Sequence, residues 1–256
     1  MKIRRRVFPV LTIRDGGLVK TIQFKKGTYL GDPINAVRIF NEKEVDELVL
    51  LDISDDRAKR GPDFTMLKDI VDEAFMPLTY GGGIRSLEDA DQLIKMGFEK
   101  VLVNSLLFEE PSIVKQIVEH LGSQSVVASV DYRIAFGKTV FFSHAGNKKL
   151  SYSMERLMEM LNDLQVGEIV MHSIDKDGTR SGYDTKLLAK ASSLTSSPLI
   201  ALGGAKNLED IRETFIKSRI SAAAAGHLFV FYGKLNGVLI NFPSADELFI
   251  EDNQND

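Results

Sequence analysis

The sequence predicts an α/β fold, a (β/α)8 TIM barrel built from a twofold internal repeat of about 120 residues. Three observations carry that prediction. Gly82 and Gly203, Leu87 and Leu208, Asp89 and Asp210, and Phe108 and Phe229 are each separated by 121 positions, as are Glu47 and Glu168, and Asp56 and Asp177. Short, continuous apolar runs alternate with segments of helical periodicity, the pattern of a parallel sheet covered on its outer face by helices. A glycine turn joins run to helix twice, as Tyr80-Gly81-Gly82-Gly83-Ile84 and as Leu202-Gly203-Gly204-Ala205.

Eight runs read as strands, at 7–13, 47–53, 76–80, 100–104, 125–131, 168–174, 198–202 and 220–225. Helical patterns follow most of them, at 33–43, 63–73, 87–96, 111–120, 154–165, 184–192 and 208–217. In the two glycine units the apolar run ends in glycines, and a capping residue, Ser86 or Asn207, precedes the amphipathic segment. Half a barrel cannot close alone, so a repeated half implies one domain, expected over 1–248. An open doubly wound sheet would not need the repeat. Two connections are long. Residues 15–32 carry Lys20, Lys25 and Lys26 and read as a mobile cationic lid, and 132–149 read as a hairpin insert. Residues 249–256, which end Glu251-Asp252-Asn253-Gln254-Asn255-Asp256, are expected to be a disordered acidic tail.

Composition narrows the function. With 44% hydrophobic residues the chain can bury a large core, and its formal net charge of -4, with both signs interspersed, argues against a nucleic-acid partner. There are no cysteines, which excludes disulfides and thiolate chemistry. No apolar run is long enough to span a membrane, and the basic start lacks a signal peptide's apolar stretch, so the expected location is the cytoplasm. No cofactor and no metal is expected.

Barrel chemistry sits at the carboxyl ends of strands. Those ends hold Thr12, Asp52, Asn104, Ser105, Asp131, Asp177, Gly178, Gly226 and His227 besides the glycine turns. Glycines let backbone N–H groups approach an anion closely. Gly83, Asn104 and Ser105 therefore form one candidate phosphate site, and Asp177, Gly178, Gly204, Gly226 and His227 a second. Asp131 adjoins neither glycine turn and is the candidate general acid/base. At the opposite, amino ends Arg6, Glu47, Lys100 and Glu168 bring two charges of each sign to corresponding positions.

With these motifs in place, the chain resembles the cyclase (HisF) subunit of imidazole glycerol phosphate synthase over nearly its whole length. The resemblance runs through Gly31-Asp32-Pro33, Asp46-Glu47-Leu48-Val49-Leu50-Leu51-Asp52-Ile53, Gly81-Gly82-Gly83-Ile84, Ser173-Ile174-Asp175-Lys176-Asp177-Gly178-Thr179 and Gly182-Tyr183-Asp184. It implies a glutaminase subunit docked on the amino-terminal face, ammonia entering through a gate of Arg6, Glu47, Lys100 and Glu168, a phosphorylated small-molecule ligand held by the two glycine turns, and Lys20 on the catalytic loop.

The family works with aspartates at the ends of strands one and five. Here strand five keeps Asp131, but strand one has Thr12, which cannot cycle a proton near neutral pH. Further departures are His172 on strand six, Leu202 before the second glycine turn, and Gly226-His227. Together with the ending 228–243 they are similar to the paralogues associated with acetamidino-sugar synthesis for surface glycans. Three functions follow, in this order: a barrel that passes ammonia onward to a separate sugar amidotransferase, a cyclase of histidine biosynthesis, and a catalytically silent scaffold that activates its glutaminase.

Overall fold

The structure is a computed structural model that describes residues 2–25, 27–233 and 235–251. Eight parallel strands, β1 (Arg6–Arg14), β2 (Leu48–Asp52), β3 (Leu78–Gly81), β4 (Lys100–Val103), β5 (Val126–Ala135), β6 (Glu168–Ser173), β7 (Leu199–Leu202) and β8 (Ala222–Ala225), pair in chain order, and β8 pairs back onto β1. The sheet is thus a closed barrel. Its main helices are α1 (Pro33–Glu42), α2 (Phe64–Glu73), α3 (Leu87–Met96), α4 (Pro111–Leu121), α5 (Met154–Leu164), α6 (Thr185–Ser192) and α7 (Leu208–Ser218).

The period of two along each strand explains why the runs are apolar throughout. On β1, Val7, Leu11 and Ile13 join the core between sheet and helices, while Phe8 and Val10 fill the interior with Val49, Leu102, Val127, Val170, Ile200 and Leu202. Phe8 lies beside Ala224 in register, so the bulkiest interior side chain is accommodated by one of the smallest.

The internal repeat is visible bond for bond. Ser86 Oγ accepts the Asp89 N–H at 3.1 Å and Asn207 Oδ1 accepts the Asp210 N–H at 2.9 Å, capping α3 and α7 alike. Asp89 and Asp210 then accept the N–H groups of Arg85 and Lys206, at 2.9 and 3.0 Å. Gly82 and Gly203 have φ of 120° and 94°, and a Cβ on either would lie 2.4 Å from the Asp52 carbonyl oxygen or 2.6 Å from that of Ser173. Only glycine fits there, because each turn crosses directly over the end of the preceding strand.

Three insertions decorate the carboxyl face. After β1 the chain forms an antiparallel hairpin, Gly17–Thr21 with Gly27–Gly31, whose first strand continues the pairing of β1 through Thr12 and Val19. This differs from the loose lid expected over 15–32: pairing to the β1 extension and packing of the Tyr29 ring against Gly17 hold it as sheet. Lys26 lies outside the described residues. The β5 insert is the hairpin its sequence announces, β5 turning at Phe136-Gly137 into Lys138–Ser143. After β8, Phe231–Tyr232 pairs with Gly237–Val238. At the chain ends Lys2–Arg4 pairs with Phe249–Glu251, so the segment expected to be disordered from 249 onward begins as a strand; residues 252–256 lie outside the described ones. No helix among the described residues is long and apolar enough to cross a membrane.

Candidate functional site

At the amino end, Arg6, Glu47, Lys100 and Glu168 meet in one ring. Arg6 Nη2 donates to Glu168 Oε2 at 3.0 Å and Arg6 Nε to Glu47 Oε2 at 3.0 Å; Lys100 Nζ lies 3.1 Å from Glu168 Oε2 and 3.5 Å from Glu47 Oε2. Thr79 Oγ1 adds a bond to Glu47 Oε1 at 3.0 Å. Burial works against the Arg6 charge, but Glu168 and Glu47 outweigh it and hold its pKa above the ordinary arginine value. Burial likewise opposes the Glu168 carboxylate, and Arg6 and Lys100 more than offset it, so its pKa is lowered. The Arg6 guanidinium stacks 5.0 Å from the centroid of Phe8, where the apolar interior begins.

The carboxyl end is built differently. Lys20, carried inward by the β1 hairpin, is buried, and its Nζ lies 2.7 Å from Asp177 Oδ1. Burial raises the pKa of Asp177, but Lys20 and His172 overcome this and hold it at about 2. His172 stands between two carboxylates, Nε2 3.7 Å from Asp177 Oδ1 and Nδ1 3.6 Å from Asp131 Oδ1. Both gaps are too long for hydrogen bonds, so these groups interact through charge. Phe24 from the hairpin closes over the imidazole edge-on, with ring centroids 4.7 Å apart. Burial pushes Asp131 up to about 6, helped by the Asp177 charge and resisted by His172 and Arg57. Thr12 donates its hydroxyl to the Val19 carbonyl, a bond internal to the hairpin.

The two glycine turns flank this cluster. At the first, Asn104 Nδ2 donates to the Ser129 carbonyl at 2.9 Å, and Ser105 Oγ accepts the His144 N–H at 3.2 Å, leaving its own proton to donate. Of the arginines beside this turn, Arg60 is compensated, its Nη2 lying 2.8 Å from the buried Asp52 Oδ2, whereas Arg57 and Arg85 donate to the carbonyls of Ser54 and Lys59. At the second, a cavity is lined by Gly178, Arg180, Gly203, Gly204, Gly226 and His227. Asp177 lines it too, but its N–H is given to Ser173 and its carboxylate to Lys20, so it holds the lysine and has no proton to offer an anion. His227 Nε2 lies 3.3 Å from Asn236 Oδ1, whereas its buried Nδ1 has no hydrogen-bond partner among the described residues; the same holds for Arg180 Nε. Sequence reasoning missed Arg180, although a cation two positions after Gly178 was a usable signal, and it missed that His172 bridges the two carboxylates.

Comparison with known proteins identifies the family. Residues 6–236 match the family described as histidine biosynthesis protein. A Pseudomonas aeruginosa chain carrying the provisional name imidazole glycerol phosphate synthase subunit hisF2 is 44% identical over 247 residues, 96% of this chain and 98% of its own. A Vibrio vulnificus chain, provisionally named as subunit hisF3 of the same synthase, is 45% identical over 96% of this chain and 95% of its own. The imidazole glycerol phosphate synthase subunit HisF of Streptococcus mutans is 37% identical over 91% of this chain and 93% of its own. The chain belongs to the histidine biosynthesis protein family and, within it, is a HisF-like barrel of the imidazole glycerol phosphate synthase cyclase type.

Proposed function

We propose that this HisF-like barrel takes ammonia from a glutaminase subunit on its amino-terminal face and passes it through the interior to the carboxyl face. There it serves acetamidino-sugar synthesis by a separate sugar amidotransferase, with little cyclisation of its own. The observation that carries this reading is Thr12. Its hydroxyl is spent on the Val19 carbonyl, at the place where a cyclase of this family would keep a carboxylate. The greater identity to the hisF2 and hisF3 chains, 44% and 45%, than to the Streptococcus mutans HisF, 37%, points the same way.

The passage follows from the two layers of side chains. The ring of Arg6, Glu47, Lys100 and Glu168 is fully ion-paired, so opening it requires a partner to displace a salt bridge. Beyond it the walls are Phe8, Val10, Val49, Val127 and Val170, which neutral ammonia can cross and ammonium cannot. At the exit Gly83, Asn104 and Ser105 on one side and Gly178, Gly204 and Gly226 on the other hold the ends of a phosphorylated ligand, and neither needs a cofactor. The pair works in the cytoplasm.

The test is a reconstituted pair fed with glutamine. Ammonia reaching the carboxyl face should fall at least tenfold in Lys100→Ala, while the complex still forms; unchanged delivery would refute the gate. A second reading, cyclase of histidine biosynthesis, draws on Asp131, which is kept with its pKa raised to about 6, near the ideal for general acid/base work.

A further inference from the structure

At the first anion site Arg60 is neutralised by Asp52, while Arg57 and Arg85 donate to backbone carbonyls. At the second, Arg180 makes no ion pair among the described residues: its Nη2 donates to the Phe231 carbonyl at 2.9 Å and its buried Nε is left without a partner. His227, 7% exposed, lines the same cavity, and its Nδ1 has no hydrogen-bond partner among the described residues. Two side chains of one glycine-walled cavity thus each keep a buried nitrogen unsatisfied among the described residues, which is costly unless a ligand completes them.

We propose that Arg180 and His227 are side-chain ligands of the second anion site, and that this site takes the dianionic end of a phosphomonoester together with one proton on His227. The inference rests on reading the cavity as a phosphate site and adds how that site selects its ligand. Asn236 Oδ1 is an acceptor, so in the neutral ring the hydrogen belongs on Nε2 and Nδ1 presents a lone pair. A lone pair repels an oxyanion. Protonation turns Nδ1 into a charged donor, and an N+–H to an anionic oxygen is among the strong hydrogen bonds.

The surroundings keep the ring neutral until an anion arrives. Burial lowers its pKa and Arg180 lowers it further; the hydrogen bond to Asn236 opposes them, and Lys20 and Asp177 follow with opposite signs. Lys20 is close: a Cβ on Gly226 would sit 3.2 Å from its Cε, but its charge is met by Asp177. The Phe231 ring, 4.7 Å from the imidazole centroid, supplies no charge. A bound dianion reverses the balance by raising the His227 midpoint. Binding therefore takes up a proton, is strongest below the free midpoint, and weakens as pH rises through the bound one.

Sulfate is a suitable probe, because its charge does not change between weakly acidic and weakly basic pH. The full chain is titrated with sulfate and followed by NMR at the Gly204 and Gly226 amides for the second site and at Gly83 for the first, together with the His227 ring signals. Second-site affinity should rise about tenfold from roughly pH 8 to pH 5.5, since a midpoint shift of one unit is a tenfold change. Affinity at Gly83 should stay flat. Sulfate should raise the His227 midpoint in the wild type; His227→Gln should flatten the second-site profile, and Arg180→Gln should weaken it about tenfold at every pH. Second-site binding that is flat with pH, with an unmoved His227 midpoint, would overturn the inference while leaving the phosphate reading intact. No sulfate at either glycine turn would overturn both, and the wild-type ring signals decide the matter even if a variant fails to fold.

Discussion

The two ends of the barrel both gather charged groups and handle them in opposite ways. At the amino end every charge faces a partner: Arg6 and Lys100 each contact both Glu47 and Glu168. At the carboxyl end Lys20 with Asp177 and Arg60 with Asp52 are closely matched, while Asp131, His172 and His227 are held short of full pairing. A satisfied ring is suited to staying shut until something displaces it. Groups left partly unsatisfied are suited to ligands and protons, and burial has raised the pKa of Asp131 and lowered that of His227. On the function proposed above, the difference separates a passage from a binding site within one closed sheet.

Removing charge should accordingly destabilise the first end and stabilise part of the second. The largest effect is expected from Glu168→Ala, which leaves Arg6 and Lys100 sharing one carboxylate. Breaking such a buried network costs about 3 to 5 kcal/mol, which urea denaturation at neutral pH will measure; a loss under ~1 kcal/mol would mean the ring is solvated in solution.

Next is Lys20→Met, which strands the Asp177 carboxylate in a buried site at a cost of about 3 kcal/mol. In the wild type the folded pKa of Asp177 is depressed to about 2, so its contribution is complete above the unfolded value and is lost as pH falls towards the folded one. The variant should lose that acid-side slope, which stability measured against pH will show.

Asp131→Asn should have the opposite sign. Asp131 titrates near 6 in the folded chain, above its unfolded value, so the folded state is penalised wherever the carboxylate is charged. The variant should be more stable by about 2 to 3 kcal/mol at pH 7.5, and the gap should close as pH falls from about 6 to 4. Equal or lower stability at pH 7.5 would show that His172 compensates Asp131 fully.

The barrel itself was legible because strand runs and the 121-residue offset are local or periodic signals, and the ring residues could be placed by counting to strand starts. What escaped was set by contacts distant in sequence. Lys20 is singled out from the loop lysines only by the resemblance, and its pairing with Asp177, 157 positions away, appears only once the hairpin pairs with β1. The strand Phe249–Glu251 is invisible without its partner Lys2–Arg4. Arg180 sits in Gly178-Thr179-Arg180-Ser181-Gly182, which has the composition of a solvated turn; the sequence joins Gly178 to His227, and the fold adds that Arg180 lines the same cavity. Asp177 was grouped with the phosphate ligands by its glycine neighbour, whereas its hydrogen bonds are already committed.

The central claim is that the carboxyl end binds a phosphorylated ligand without efficient cyclisation, because Thr12 stands where the second carboxylate would act. The direct test is steady-state turnover of the bisphosphate substrate of imidazole glycerol phosphate synthase with ammonium salt in excess, for the wild type and Thr12→Asp. The account predicts substrate binding with a wild-type rate far below the ~1 s⁻¹ typical of biosynthetic enzymes, and a gain of about 10² or more in Thr12→Asp. Wild-type turnover at ~1 s⁻¹ or faster would contradict it and assign the chain to histidine biosynthesis.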